Sequence, residues 1–212
     1  MLDAIVPAGV WVAESFGDVG DDAVLLPAEE ASVAGAGSKR RREFAAVRAC
    51  ARRALASAGF EPGPVPRGPS GAPVWPSGAV GSMTHCDGYR ACAVGRAEAF
   101  AAIGIDAEPH EPLPDGVLAM VASERERTAL AMLAADVPGV CWAKLLFSAK
   151  EAVFKAWSPA TGRWLGFAGA ELELEADGTF AARLLDAPGY RGRWIVARGL
   201  IATAVVVPVS RP

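Results

Sequence analysis

Histidine and lysine are scarce in this chain of 212 residues: there are two histidines, His85 and His110, and four lysines against 17 arginines. The four cysteines, Cys50, Cys86, Cys92 and Cys141, form no CxxC pair, and two histidines cannot complete a zinc-ligand spacing with them. Reduced and mostly buried thiols are therefore expected. No apolar run approaches the roughly 18 to 20 residues that cross a bilayer. The opening segment carries Asp3 and lacks both the cationic and the continuous apolar stretch of a signal peptide, so a cytoplasmic protein is expected. A net charge of only −3 provides no global field for nucleic acid or an anionic membrane, which leaves any anion site to be local. A Walker A loop, a GxGxxG fingerprint, a GxSxG elbow and an HExxH pair are also missing, which removes the commonest nucleotide, hydrolase and zinc-protease chemistries.

What is present is the profile of a folded globular chain, 52% hydrophobic and 21% charged, long enough for one large domain or two small ones. After an acidic stretch from Asp18 to Glu30, a helical period begins at Ser38. Phe44, Val47, Ala51 and Leu55 make an apolar stripe, Arg41, Arg48 and Arg52 follow another face, and Gly59 stops the helix. Residues 59 to 82 hold six Pro and six Gly and read as turns that lead into one strand from about Gly81 to Val94. A second strand covers 101 to 108. A capping box at Ser123 and Glu126 opens a further helix. The longest amphipathic helix spans Val140 to Trp157, with Trp142, Leu145, Leu146, Ala149, Val153, Ala156 and Trp157 facing the core. The remainder alternates as strands: Glu171 to Glu175, an Asp177-Gly178 hairpin signal, Phe180 to Leu185, Trp194 to Ala197 and Leu200 to Val207. Each half thus carries a long helix with basic residues and strands joined by turns. The fold class is α+β, with two similar subdomains, 1–102 and 103–212, and a pocket where they meet.

In Ile103-Gly-Ile-Asp-Ala-Glu, strand alternation sends Ile103, Ile105 and Ala107 into the core and puts Asp106 and Glu108 together on the other side. Two readings stay open there: a solvated strand face, or a pair of hard oxygen ligands for Mg²⁺. On the helix, Lys144, Ser148, Glu151 and Lys155 form a polar stripe. It is either a surface Glu-Lys pair, worth about 0.3–0.5 kcal/mol, or a third carboxylate beside an ammonium suited to phosphate. Residues 39 to 53 carry seven basic side chains against Glu43 alone. A clamp for a multiply phosphorylated ligand, a solvated face and a docking surface for an acidic partner fit them equally. His85 sits beside the Thr84 hydroxyl in the strand.

Three segments in this order, Gly81-Ser-Met-Thr-His-Cys-Asp-Gly-Tyr-Arg, Ile103-Gly-Ile-Asp-Ala-Glu-Pro and Trp142-Ala-Lys-Leu-Leu-Phe-Ser-Ala-Lys-Glu-Ala-Val-Phe-Lys-Ala-Trp, resemble the signatures of the 4′-phosphopantetheinyl transferases. The likeness is to the monomeric Sfp/EntD-like type of actinobacteria and covers most of residues 38 to 207. It draws support from Lys39-Arg-Arg-Arg-Glu-Phe, from Arg67-Gly ahead of Pro73-Val-Trp-Pro, and from Gly162-Arg-Trp-Leu-Gly-Phe.

The resemblance implies two α+β halves related by a pseudo-twofold, with coenzyme A and Mg²⁺, or Mn²⁺ as the alternative ion, in the cleft between them. It implies transfer of phosphopantetheine to a serine of an apo acyl or peptidyl carrier protein, or of a carrier domain of a polyketide, nonribosomal peptide or fatty acid synthase, with release of adenosine 3′,5′-bisphosphate. Siderophore pathways belong to the same set; neither nucleic acid nor membrane takes part, and the chain is a monomer. By position, Asp106, Glu108 and Glu151 match the family's metal carboxylates, and Lys155 matches the lysine on the coenzyme A phosphates. Asp106, Glu151 and Lys155 form the catalytic set, with Glu151 as the base for the serine proton. Arg40, Arg48, Arg67, Thr84 and His85 fall where the nucleotide and its phosphates are held, and Leu165 borders the pantetheine arm. Many members place a Lys before the Pro of the loop; here Ala72 stands there, and Arg67 takes the phosphate role. A Mg²⁺-dependent nucleotide phosphohydrolase and a non-catalytic carrier-protein binding module are the competing readings.

Overall fold

The computed structural model describes residues 1–17, 23–184 and 187–209. Residues 18–22 of the acidic stretch, and Leu185 at the end of one expected strand, lie outside them. Among the described residues, no helix is long and apolar enough to cross a membrane. All four cysteines are free, Cys50 and Cys92 buried, Cys86 and Cys141 half-buried.

The elements follow in the order β1 (Val10–Phe16), α1 (Pro27–Glu30), α2 (Ser38–Ser57), β2 (Ala79–Cys86), β3 (Tyr89–Arg96), β4 (Phe100–Pro109), α3 (Val117–Val121), α4 (Glu124–Asp136), α5 (Trp142–Thr161), β5 (Ala170–Leu174), β6 (Thr179–Leu184), β7 (Ala187–Ala197) and β8 (Leu200–Pro208). They form two antiparallel sheets, β1-β3-β2 and β4-β8-β7-β6-β5. The expected α+β class is therefore found, with one long helix on each sheet. The single strand expected from Gly81 to Val94 is instead a hairpin. Asp87-Gly88 turns the chain, Gly88 has φ +69°, and the alternation of apolar residues on both sides of the turn hid the break.

Helix α2 buries its expected stripe, Phe44, Val47, Ala51 and Leu55, against β1 and β3. Arg48, one of the three arginines on another face of the helix, does not point to solvent. It is buried, its guanidinium stacks 3.6 Å above the Phe44 ring, and its Nε donates to Val65 O at 3.0 Å. Buried Glu29 draws the Pro/Gly-rich loop inward, accepting from Val65 N at 2.9 Å while Arg52 neutralises it at 3.1 Å. Helix α4 opens with the expected box: Ser123 Oγ accepts from Glu126 N, and Glu126 returns the bond to Ser123 N. Helix α5 runs four residues past Trp157 and ends at Gly162, whose φ of +67° supplies the left-handed cap.

One face of each sheet builds a common core, with Tyr89, Ala91 and Ala93 of β3 meeting Ile103, Ile105 and Ala107 of β4 and Ala202 and Ala204 of β8. The sheets abut where β2 runs beside β4. No backbone ladder joins these two strands; the Ser82 and Thr84 hydroxyls of β2 accept from Ile105 N and Ala107 N of β4, each at 3.1 Å.

Helix α5 lies directly on the opposite face of β4 because residue 104 has no side chain. A Cβ there would stand 2.0 Å from Ala152 O and 2.6 Å from Ala156 N. Backbone on both sides leaves little room to yield. Gly104→Ala should therefore cost about 1–3 kcal/mol of stability in urea unfolding and lower activity as well, since α5 also carries Glu151 and Lys155. A Gly104→Ala protein as stable and active as the parent would show that α5 can retreat freely.

Candidate active site

Strand β4 is buried on both faces from Ala102 to Ala107, so the solvated-face reading of Asp106 does not hold. Asp106 is 4% exposed, and its Oδ1 accepts from Lys155 Nζ at 2.6 Å and from Thr84 Oγ1 at 3.1 Å. Its Oδ2 is buried with no hydrogen-bond partner. Nor is the polar stripe of α5 a surface feature. Lys144 and Ser148 are buried, Lys144 pairs with Glu108 at 3.7 Å, and Ser148 bonds Thr203 of β8. The Lys155 ammonium reaches across to β4 instead of serving a solvated pair along the helix.

Negative charge is crowded here. Burial pushes the Glu108 carboxyl up to about 7, and Asp106 beside it pushes in the same direction against Lys144 and Lys155. Glu151 is raised by the same two causes, burial first and then Asp106. The three carboxylates feel one another, yet among the described residues no three acidic, histidine or cysteine groups stand close enough to hold a metal ion. The expected convergence of Asp106, Glu108 and Glu151 on one point is thus not assembled; two ammonium groups stand against Asp106 and Glu108.

The sign of the pH effect follows from Glu108. Its carboxyl binds a proton in the folded chain up to about pH 7 but only to about 4.5 when unfolded. Its contribution to stability is therefore lost as pH rises through that window. Without divalent ions, Glu108→Gln should gain in melting temperature over the parent as pH goes from about 5 to about 8, and a gap that stays constant would refute the shift.

A groove of about 560 Å³ lies over the seam between the sheets, lined by Arg40, Arg48 and Phe44 of α2, Arg67 of the loop, Met83 and His85 of β2, and Lys155 of α5. A smaller cavity of about 140 Å³, lined by Glu151 and Leu165, adjoins it through Phe154 and Trp164, which border both. Arg40 Nη1 lies 2.8 Å from His85 Nε2. Burial, then the Arg40 charge, lowers the pKa of His85 below its usual 6.5 and keeps the ring neutral. Arg67 holds the loop by donating to Gly71 O. Thr84 does not face the groove itself, although it borders a shallow recess beside Arg40 and His85.

The basic run 39–53 does not act as one patch. Arg41 pairs with Glu30 and Arg52 with Glu29, while Arg53 donates to Glu14 O. Of the run, Arg40 and Arg48 line the groove.

The family model described as the 4′-phosphopantetheinyl transferase N-terminal domain matches residues 28–95, and that of the 4′-phosphopantetheinyl transferase superfamily matches residues 102–204. The chain belongs to this superfamily.

It is 52% identical over 219 residues to the 4′-phosphopantetheinyl transferase Svp of Streptomyces mobaraensis, covering 98% of this chain and 89% of the relative. It is 45% identical to Npt of Nocardia iowensis, over 97% and 99% of the two chains. It is 41% identical to PptT of Mycobacterium tuberculosis, over 98% of each.

Within this phosphopantetheinyl transferase, the fold brings Arg40, Arg48, Arg67, His85 and Lys155 to one groove and Glu151 with Leu165 to the cavity beside it. Ser82, Phe154 and Trp164 were not singled out by sequence reasoning. Ser82 carried a usable signal, since it lies two residues before Thr84 in a strand and shares its face. Lys150, between the two lysines of the stripe, serves elsewhere: its Nζ donates to Glu126 Oε2 at 2.8 Å, Val121 O at 2.7 Å and Phe167 O at 3.0 Å.

Proposed function

We propose that the groove holds coenzyme A together with a divalent cation, and that the enzyme transfers the 4′-phosphopantetheine arm to a serine hydroxyl of an apo acyl or peptidyl carrier protein, releasing adenosine 3′,5′-bisphosphate. The observation that carries this reading is Asp106, a buried carboxylate bonded to the lysine that lines the groove, with one oxygen left without a donor. An anionic oxygen in that condition is costly, and the raised carboxyls of Glu108 and Glu151 add to the demand for positive charge. Carboxylate oxygens suit a hard cation, and Mg²⁺ takes one or two of them together with substrate phosphates, so the three acids need not already surround one point. Mg²⁺, with Mn²⁺ as the alternative ion, would be held at Asp106, with Glu108 and Glu151 drawn towards it, and when bound would supply positive charge to the pyrophosphate as the bisphosphate leaves.

The remaining roles fall to side chains of this chain. Lys155, at the edge of the groove, offers its ammonium to the pyrophosphate oxygens. Arg40, Arg48, Arg67 and neutral His85 receive the nucleotide and its phosphates, and Leu165 borders the pantetheine arm in the adjoining cavity. Glu151, one helical turn from Lys155, accepts the serine proton directly or through a water. Residues 1–102 then form the nucleotide-contacting half and 103–212 the carboxylate half. Both belong to one chain, so a monomer suffices. Four free cysteines suit the reducing cytoplasm.

The test is incubation of the purified protein with coenzyme A, Mg²⁺ and a panel of apo carrier domains from polyketide, nonribosomal peptide and fatty acid synthases, read by mass spectrometry. A phosphopantetheine increment on the carrier is the expected result. Bisphosphate release without the increment would make the protein a phosphohydrolase, and carrier binding without turnover a non-catalytic module.

A further inference from the structure

Strand β2 presents two sets of side chains. Gly81, Met83 and His85 line the groove, and Ser82 and Thr84, alternating with them, turn their hydroxyls to β4; Ser82 still borders the groove, Thr84 does not. Both hydroxyls are buried, Thr84 being 2% exposed. Thr84 Oγ1 accepts from Ala107 N at 3.1 Å and donates to Asp106 Oδ1 at 3.1 Å.

A hydroxyl has a single proton to donate. The one on Thr84 is committed to Asp106, so none is left for a phosphate oxygen, which can only accept. We propose that Thr84 is a positioning residue for Asp106 and not a phosphate contact. Its hydroxyl and the Lys155 ammonium converge on Oδ1 and fix the rotation of the carboxyl. Oδ2, the oxygen without a protein partner, is thereby the one left to take a cation. The same residue ties Asp106 to the strand whose next side chain, His85, lines the groove beside Arg40. Ligand held by one half of the molecule and the carboxylate of the other half are in this way registered through one side chain. The inference rests on the reading of Asp106 as a cation ligand in the transfer reaction.

The experiment compares the full-length parent with Thr84→Val, which keeps the shape and removes the hydroxyl, and Thr84→Ser, which restores the hydroxyl. Steady-state transfer is measured against coenzyme A and against Mg²⁺, and Mn²⁺ binding to the coenzyme A-free protein is followed by electron paramagnetic resonance. Thr84→Val should lose about 10–100-fold in kcat and need more Mg²⁺ for half-maximal rate, with KM for coenzyme A little changed. Its affinity for Mn²⁺ should fall while Thr84→Ser behaves as the parent. A raised KM for coenzyme A with kcat and metal response intact would overturn the proposal and return Thr84 to the phosphates. A lower melting temperature with unchanged kcat and metal response would also overturn it, leaving only a packing role. If the parent transfers nothing to any carrier and binds no Mn²⁺, the reading of Asp106 itself fails, an outcome distinct from either of these.

Discussion

Asp106→Asn is expected to lower carrier modification by about 10²–10³-fold while leaving the melting temperature unchanged or higher. The substitution is nearly isosteric and keeps an acceptor for Thr84, so the fold has little to lose. What disappears is the charge that holds Lys155 at 2.6 Å and raises the carboxyls of Glu108 and Glu151. Removing it relieves repulsion among three buried or half-buried acids and takes away the anion with the unpartnered oxygen. Stability and activity should therefore move in opposite senses, as they do where a site is held in a strained electrostatic state for its chemistry. Initial rates and thermal melts on the same preparation decide it. A variant that transfers at the parental rate would take Asp106 out of the reaction.

Lys150→Met should cost about 3–5 kcal/mol of folding free energy. Lys150 and Glu126 form an ion pair at 2.8 Å in which both side chains are almost fully buried. Glu126 also accepts from Ser123 N, closing the first turn of α4, and from Leu172 N, covering part of the edge of β5. Without the ammonium this carboxylate would remain buried and uncompensated. Val121 O and Phe167 O would lose their donor too, loosening the segment that carries Leu165. Adding Glu126→Gln to Lys150→Met should recover part of the loss, because the two sites share one interaction. Chemical denaturation of the single and double variants measures this, and additive losses would mean that the pair is not coupled.

Periodicity made the secondary structure legible where a face is apolar. The stripes of α2 and α5 and the inward residues of β4 lie where spacing put them, and Asp177-Gly178 marks its hairpin. Asp87-Gly88 carried the same signal but sat between two runs that alternate in step. Partner choice was beyond spacing. Lys144, Lys150 and Lys155 look alike in the sequence, yet they serve Glu108, Glu126 and Asp106, residues 24 to 49 positions away. The basic run at 39–53 likewise divides among partners that only the folded chain supplies. The burial of these polar residues was not legible for the same reason. The face of β4 that bears Asp106 is dry because Gly104 lets a helix settle on it, and the missing side chain leaves no mark in a hydropathy pattern.

The layer shared by the two sheets has a thermodynamic consequence. Tyr89 and Ala91 from one side and Ile103, Ile105 and Ala202 from the other are each covered in part by the opposite half. Each half has a core of its own beneath its long helix, but the layer between the sheets belongs to both, so losing one half strips the facing layer of the other. Despite its two-part architecture, the molecule should melt as one cooperative unit, with a single endotherm whose van't Hoff and calorimetric enthalpies agree.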